Sequence, residues 1–291
     1  MVHPYIESIK QKYSDLTIQN YYPNEIGQNN DVLIVNNSLV FRFPKYKQGI
    51  IQLKKETKVL EYIKNIITIP IPHPTYQSLE NTDPGEVFTG YKLIAGVPLW
   101  KESLQAIKSD ELLRGLASQL VNFLVELHSI SKEKLRNDLK LKSSNPIEEM
   151  SNLFNRMQDK LFPFIRGEAQ DKIIQSFENF LNGKIALNLK TTPIHGDFGA
   201  SNILWDPKLD SISGIIDFGS SGLGDPAYDF AGILSSYGEG FFNMCIELYP
   251  NGNEISERVK FYQSTFALQE ALHGIENNDQ QAFKNGIKAY R

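Results

Sequence analysis

Two short strings hold most of the chemistry available to this chain. His195-Gly196-Asp197-Phe198-Gly199-Ala200-Ser201-Asn202 fits H-x-D-x-x-x-x-N, and Ile215-Ile216-Asp217-Phe218-Gly219 carries D-F-G twenty residues further on. That order suits transfer of a γ-phosphoryl group from a nucleoside triphosphate. The first string alone is only moderately specific, and the second at this distance supplies the rest. A carboxylate must sit beside the attacking hydroxyl to orient it and accept its proton, the role expected of Asp197. Mg²⁺ takes oxygen ligands, and the Asn202 amide oxygen and Asp217 carboxylate can supply two. The loop between Asp197 and Asn202 lets the first face acceptor and the second face metal.

Such chemistry also needs a cation for the α- and β-phosphates. Phe41-Arg42-Phe43-Pro44-Lys45 ends a strand with Lys45, and eleven residues later Glu56 falls on a helix. A Lys45–Glu56 ion pair would aim the ammonium at phosphate. Glu61 lies on the same helix, and Glu56 is preferred.

These residues need elements to position them. Before about residue 95 the chain is rich in strand-like runs: Leu16 to Tyr22, Val32 to Val35, Leu39 to Phe43 and Val87 to Ile94. Asn36-Asn37 between two of them predicts a tight hairpin, because Asn tolerates positive φ. One helix interrupts: Ile50, Leu53, Thr57, Leu60 and Ile63 recur at helical spacing, and the prolines of Ile69 to Pro74 must end it. Beyond Gly96-Val97-Pro98 the pattern turns helical. Asp110 is expected to cap a helix whose apolar stripe runs from Leu112 to Leu127. Residues 147–183 read as two helices broken near Phe162-Pro163, and 257–271 and 280–290 are helical again. Only 193–218 regains strand character, with Ile203 to Trp205 and Ser213 to Ile216 expected to pair as a hairpin.

These pieces, in this order, resemble the aminoglycoside phosphotransferases, a family of kinase-like small-molecule phosphotransferases. The matching segments are Phe41 to Lys45, Glu56, Leu127-His128-Ser129, His195 to Trp205, Ile215 to Gly219 and Asp225 to Phe230. The nearest branch in part is the gentamicin-modifying 2″-phosphotransferases. The resemblance implies an α+β fold of two protein-kinase-like lobes. Residues 1–94 would form a small antiparallel-sheet nucleotide-binding lobe, and 95–291 a larger, mainly helical catalytic and substrate lobe. It implies ATP or GTP between the lobes, Mg²⁺, and phosphorylation of a hydroxyl. Gly27, the single glycine of Asn24 to Asp31, would lie in the nucleotide-covering loop. The backbone of Lys92 to Ile94 would pair with the purine. Tyr91 would be the bulky residue just before that hinge, a feature that accompanies GTP preference in some relatives. A polycationic acceptor wants a carboxylate-lined site, for which Asp225, Asp229, Glu239 and Glu270 are the candidates. The branch often carries His where this chain has Asn202.

Bland readings stand beside these. Asp225 precedes Pro226 and can cap the helix that follows, while Asp229 can hold neighbouring groups by hydrogen bonds. His195 is expected to bond the loop backbone, and His128 to lie in the core. Cys245 between Met244 and Ile246 reads as a buried apolar residue.

Composition bounds the rest. The 291 residues carry 34 acidic and 30 basic side chains, net −4, which argues against a general nucleic-acid binder. One cysteine excludes an internal disulfide. No run approaches the roughly 18 apolar residues of a membrane span, and residues 1–15 lack the apolar core of an export signal. A cytoplasmic monomer or weak dimer is expected. Within the same chemistry the acceptor could instead be a macrolide, choline, homoserine or methylthioribose. From another class, the chain could be a nucleotide-binding module without catalysis.

Overall fold

The computed structural model describes residues 4–24, 29–139, 145–183 and 189–291. Contacts divide the chain into two compact units, residues 1–99 with 201–221, and residues 100–200 with 222–291.

The first unit is built on a five-stranded antiparallel sheet. Its strands are β1 (Tyr21–Asn24), β2 (Asn30–Val35), β3 (Leu39–Pro44), β4 (Tyr76–Ser78) and β5 (Phe88–Lys92), in the order β1-β2-β3-β5-β4. Asn36 and Asn37 both adopt φ 53, the left-handed turn that closes β2 onto β3. The Asn36 amide also binds the Gln19 N–H at 2.8 Å and the Thr17 carbonyl at 2.7 Å. The Asn20 carbonyl accepts the Asn36 amide at 2.9 Å, and the strand expected from Leu16 begins only at Tyr21.

Alternation along β3 sends its side chains to two faces. Phe41 and Phe43 are fully buried with Leu33, Val35 and Phe88 against Ile6 and Ile9 of helix α1 (Pro4–Lys12), which the sequence reading did not find. Val40 joins Ile34 and Tyr91 in another cluster. Helix α2 (Lys47–Ile63) buries Ile50, Leu53, Thr57, Leu60 and Ile63, the spacing read from sequence, and Val59 besides.

Strand β6 (Val97–Pro98) and the hairpin β8 (Ile203–Asp206) with β9 (Ser211–Ile215) form a separate three-stranded sheet. The sequence reading put the hairpin with the C-terminal lobe; by contacts it groups with residues 1–99. Pairing explains this: Val97 faces Trp205 in the ladder, the Leu99 amide donates to Ile203, and the Ile215 amide donates to Pro70.

The second unit is mainly helical: α3 (Lys101–Ala106), α4 (Asp110–His128), α5 (Lys132–Leu139), α6 (Pro146–Lys160), α7 (Gly167–Asn182), α8 (Ala227–Tyr237), α9 (Glu239–Leu248), α10 (Gly252–Glu276) and α11 (Gln280–Ile287). The α4 cap is Ser109, whose hydroxyl accepts the Leu112 amide, one residue before the expected Asp110. Leu116, Leu120, Phe123, Leu124 and Leu127 are buried as the apolar stripe requires. Two short strands, β7 (Thr192–Ile194) and β10 (Gly222–Gly224), pair within this unit. Among the described residues, no helix is long and apolar enough to cross a membrane.

Candidate active site

In the first unit, chemistry gathers where α2 meets the short 3-10 turn Phe218–Ser220. Phe41 and Phe43 turn into the core, so Arg42 projects from the other face of β3. Its guanidinium donates to Glu56 at 2.5 Å and to Asp217 at 3.3 Å. This corrects the expected Lys45–Glu56 pair. Lys45 lies past the last residue of β3 and its ammonium stands 3.6 Å from Asp31. Burial alone would lower the Arg42 pKa, but attraction to Glu56 overrides it and holds the guanidinium charged. Burial pushes Glu56 up, and Arg42 and the Phe218 amide, which donates to it at 3.2 Å, pull the other way.

Asp217 sits in the left-handed region, φ 63 and ψ 73, accepts the Gly219 amide, and keeps its side chain about half exposed. Asp is among the few residues that visit this conformation at modest cost. The Asn202 carbonyl accepts the Ile216 amide at 2.9 Å, which places Asn202 beside the residue preceding Asp217. A carboxylate and an amide on adjoining segments are the hard oxygen donors that Mg²⁺ takes, with phosphate oxygens and water filling the rest of an octahedron. The residues present therefore fit the ion. Among the described residues no group of three His, Cys, Asp or Glu forms a metal cage by itself.

Tyr91 is buried beside Val40, and burial pushes its hydroxyl up to about 12, with Arg42 pulling the other way. The Leu93 amide donates to Ser38 at 2.8 Å. Lys92 is opposite Leu39 at the intervening, non-bonded position of the ladder, so its amide and carbonyl point away from β3. Gly27 lies outside the described residues.

The second unit holds the loop that carries Asp197. Asp197 is exposed, its amide donates to the His195 ring at Nδ1 (3.3 Å), and its carbonyl accepts the Gly199 amide. A backbone N–H can only donate, so His195 Nδ1 is an acceptor there, the loop-bonding role read from sequence. The loop is templated by one face of α8. Asp229 accepts the amides of His195 and Gly196, both at 2.8 Å, and Ser236 accepts the Ala200 amide at 3.0 Å. Between them Gly232 lets Phe198 approach: a Cβ there would stand 2.3 Å from the Phe198 carbonyl oxygen. The Phe198 ring stacks on Phe123 of α4.

Two acceptor candidates, Asp229 and Asp225, are buried with partners inside the second unit. Asp229 is fully buried and its carboxylate also binds His128 Nε2 at 3.1 Å, while His128 Nδ1 meets the Tyr249 hydroxyl at 2.9 Å. Asp225 is 1% exposed, caps α8 through the Ala227 amide and takes both nitrogens of an Arg258 fork at 2.6 and 3.0 Å. Both carboxylates are thus turned to internal donors and away from solvent. Glu239, in the first turn of α9, and Glu270 on α10 are exposed. Cys245 is fully buried, and burial pushes its thiol up to about 12, so it is no nucleophile.

The sequence reading missed Arg42, Arg258 and Ser236. Arg42 was within reach, since two phenylalanines flanking one arginine announce opposite faces of a strand. Arg258 and Ser236 carry no local signal.

With this geometry in hand, comparison places the chain. Residues 21–262 match the model of the phosphotransferase enzyme family, and the chain belongs to that family. It is therefore an enzyme, a small-molecule kinase of α+β kinase-like fold with an N-terminal antiparallel sheet and a mainly helical C-terminal portion. Viomycin phosphotransferase from Streptomyces vinaceus is 30% identical over 203 residues, spanning 68% of this chain and 67% of that protein. The solved GDP and kanamycin complex of APH(2″)-IIia superposes with a TM-score of 0.89 at 25% identity, covering 98% of this chain and 96% of that one. A macrolide 2′-phosphotransferase type I, at 17% identity and TM-score 0.75 over 98% and 95% of the two chains, shares the fold.

Proposed function

We propose that this enzyme moves the γ-phosphoryl group of GTP or ATP to a hydroxyl of a cationic antibiotic of the aminoglycoside type. The observation that carries this reading is the likeness, over nearly the whole chain, to an enzyme solved with GDP and kanamycin. The likeness to a viomycin phosphotransferase keeps viomycin as the second acceptor to try.

In this reading Asp197 aligns the acceptor hydroxyl and takes its proton as the oxygen bonds to the γ-phosphorus and the bond to the diphosphate breaks. Arg42, braced by Glu56, is the cation for the phosphates, in place of Lys45. Asn202 and Asp217 would hold Mg²⁺, which when bound neutralises charge developing on the phosphate oxygens. The Lys92 carbonyl, turned away from β3, and the Ile94 amide would read the purine edge, with Tyr91 behind them. Glu239 and Glu270 remain as exposed carboxylates for a cationic acceptor.

The test is nucleotide consumption, with GTP and ATP in turn and with Mg²⁺, across kanamycin, gentamicin, viomycin, a macrolide, choline, homoserine and methylthioribose. Turnover with the aminoglycosides, favouring GTP, is expected. Turnover confined to choline, homoserine or methylthioribose would displace the acceptor assignment, equal or better use of ATP would remove the GTP preference, and no acceptor-dependent consumption at all would favour a non-catalytic module.

A further inference from the structure

Adjacent residues of α2 grip both ends of one turn. Glu56 accepts the Phe218 amide at its start, and the Lys55 ammonium donates to the Ser221 carbonyl at its end, at 2.5 Å. Ser221 is itself held: it is 1% exposed, its hydroxyl donates to the Phe218 carbonyl at 2.6 Å and its amide to the same oxygen at 3.0 Å. Arg42 and Glu56 secure only the leading end, the Asp217 side chain and the Phe218 amide. From α2, Lys55 reaches the trailing end, where the Ser221 hydroxyl already bonds back to Phe218.

The choice of lysine is costly. Burial lowers the Lys55 pKa, because a half-buried ammonium loses water, and its partner is a neutral carbonyl and not a carboxylate. An apolar side chain would fill the position more cheaply if packing were the only demand. A left-handed Asp costs little by itself, so the contacts that hold the turn after it decide whether Asp217 keeps that conformation.

We propose that Lys55 is a positioning residue for the metal ligand Asp217: by fixing the Ser221 end of the Phe218–Ser220 turn, it keeps Asp217 in the left-handed conformation that turns its carboxylate to solvent. The proposal rests on the reading of Asp217 as a Mg²⁺ ligand.

The experiment uses the full chain as wild type, Lys55→Met, Lys55→Arg and Asp217→Ala. Hydrogen exchange of the 217–221 amides is followed without ligand, and binding of GDP and ADP is titrated by calorimetry against Mg²⁺ concentration. Lys55→Met is expected to speed exchange in this segment and to raise the Mg²⁺ concentration for half-maximal enhancement of nucleotide binding by about tenfold, leaving Mg²⁺-free nucleotide binding unchanged. Lys55→Arg, which keeps a donor, is expected to restore most of both. Should Lys55→Met fail to fold, Lys55→Gln is scored by the same two measurements. Wild-type exchange and Mg²⁺ dependence in the lysine variant, with Mg²⁺ dependence lost in Asp217→Ala, overturns the role of Lys55 alone. Wild-type Mg²⁺ dependence in Asp217→Ala overturns the metal reading of Asp217, and the proposal with it.

Discussion

Arg42 donates to Glu56 at 2.5 Å with the two side chains only 10% and 3% exposed, so each is the other's main compensation for leaving water. A guanidinium serves this position well because its planar fork has a second arm for Asp217. One residue thus connects strand, helix and D-F-G turn.

That linkage separates the two cations of Phe41 to Lys45. Arg42→Met is expected to lower kcat/KM for nucleotide by at least about a hundredfold and to destabilise the fold by about 3 kcal/mol, because Glu56 is left buried and unpaired. Lys45→Met, which loses an exposed pair with Asp31, is expected to shift stability by about 0.5 kcal/mol or less. Steady-state kinetics and urea melts of both variants check the contrast; a larger kinetic loss in Lys45→Met would return the phosphate role to Lys45.

Asp197→Ala is expected to cut kcat by about 10² to 10⁴, the range of general-base contributions, with nucleotide affinity unchanged. Its side chain is exposed, and a urea melt of the variant checks that the fold is kept. Near-normal turnover with any acceptor would show that another group takes the proton.

Asp229 acts through the loop it holds. Asp229→Ala removes the acceptor of two backbone amides and of His128, and a loss of about 3 kcal/mol or more is expected. Asp229→Asn keeps one carbonyl oxygen and should be intermediate in melting and in kcat. An alanine variant as stable as wild type would show that the loop finds other partners.

Gly232→Ala tests the same loop from the packing side. The added Cβ would meet the Phe198 carbonyl oxygen at 2.3 Å, so backbone must move, at a cost of about 1–3 kcal/mol. Because the displaced residue follows Asp197, kcat is expected to fall at least about tenfold while nucleotide KM stays near wild type. A change in KM alone would contradict this geometry.

Acid stability has a local source far along the chain. Hydrogen bonding to Arg156 is the largest of the effects that hold Glu276 down to about 2, and Lys160 adds to it. A carboxylate with a depressed folded pKa contributes stability above its unfolded value near 4.5, and the contribution is lost as pH falls from there through about 2. With solvent screening the amount is on the order of 1 kcal/mol. Urea melts of wild type and Glu276→Gln should differ at pH 7 and draw together as pH falls from about 4.5 to below about 2; a constant difference would rule the ion pair out as the cause.

Much was determined by sequence alone. The order H-x-D-x-x-x-x-N then D-F-G, the Asn36-Asn37 hairpin, the α2 and α4 stripes and the break at Phe162-Pro163 are local signals, because periodicity and turn chemistry act over a few residues. Such signals cannot say which of several carboxylates meets solvent. Asp197, Asp217, Asp225 and Asp229 are the same residue type within 33 positions, yet two are exposed and two are buried. The tertiary structure decided that by bringing Arg258 to Asp225 and His128 to Asp229 across separations of 33 and 101 residues. It decided likewise that Arg42 meets Glu56, since the face a strand residue takes depends on which of its neighbours the core claims. Burial and charge pairing are properties of packed surfaces, and a one-dimensional string carries them only where neighbours in space are also neighbours in sequence.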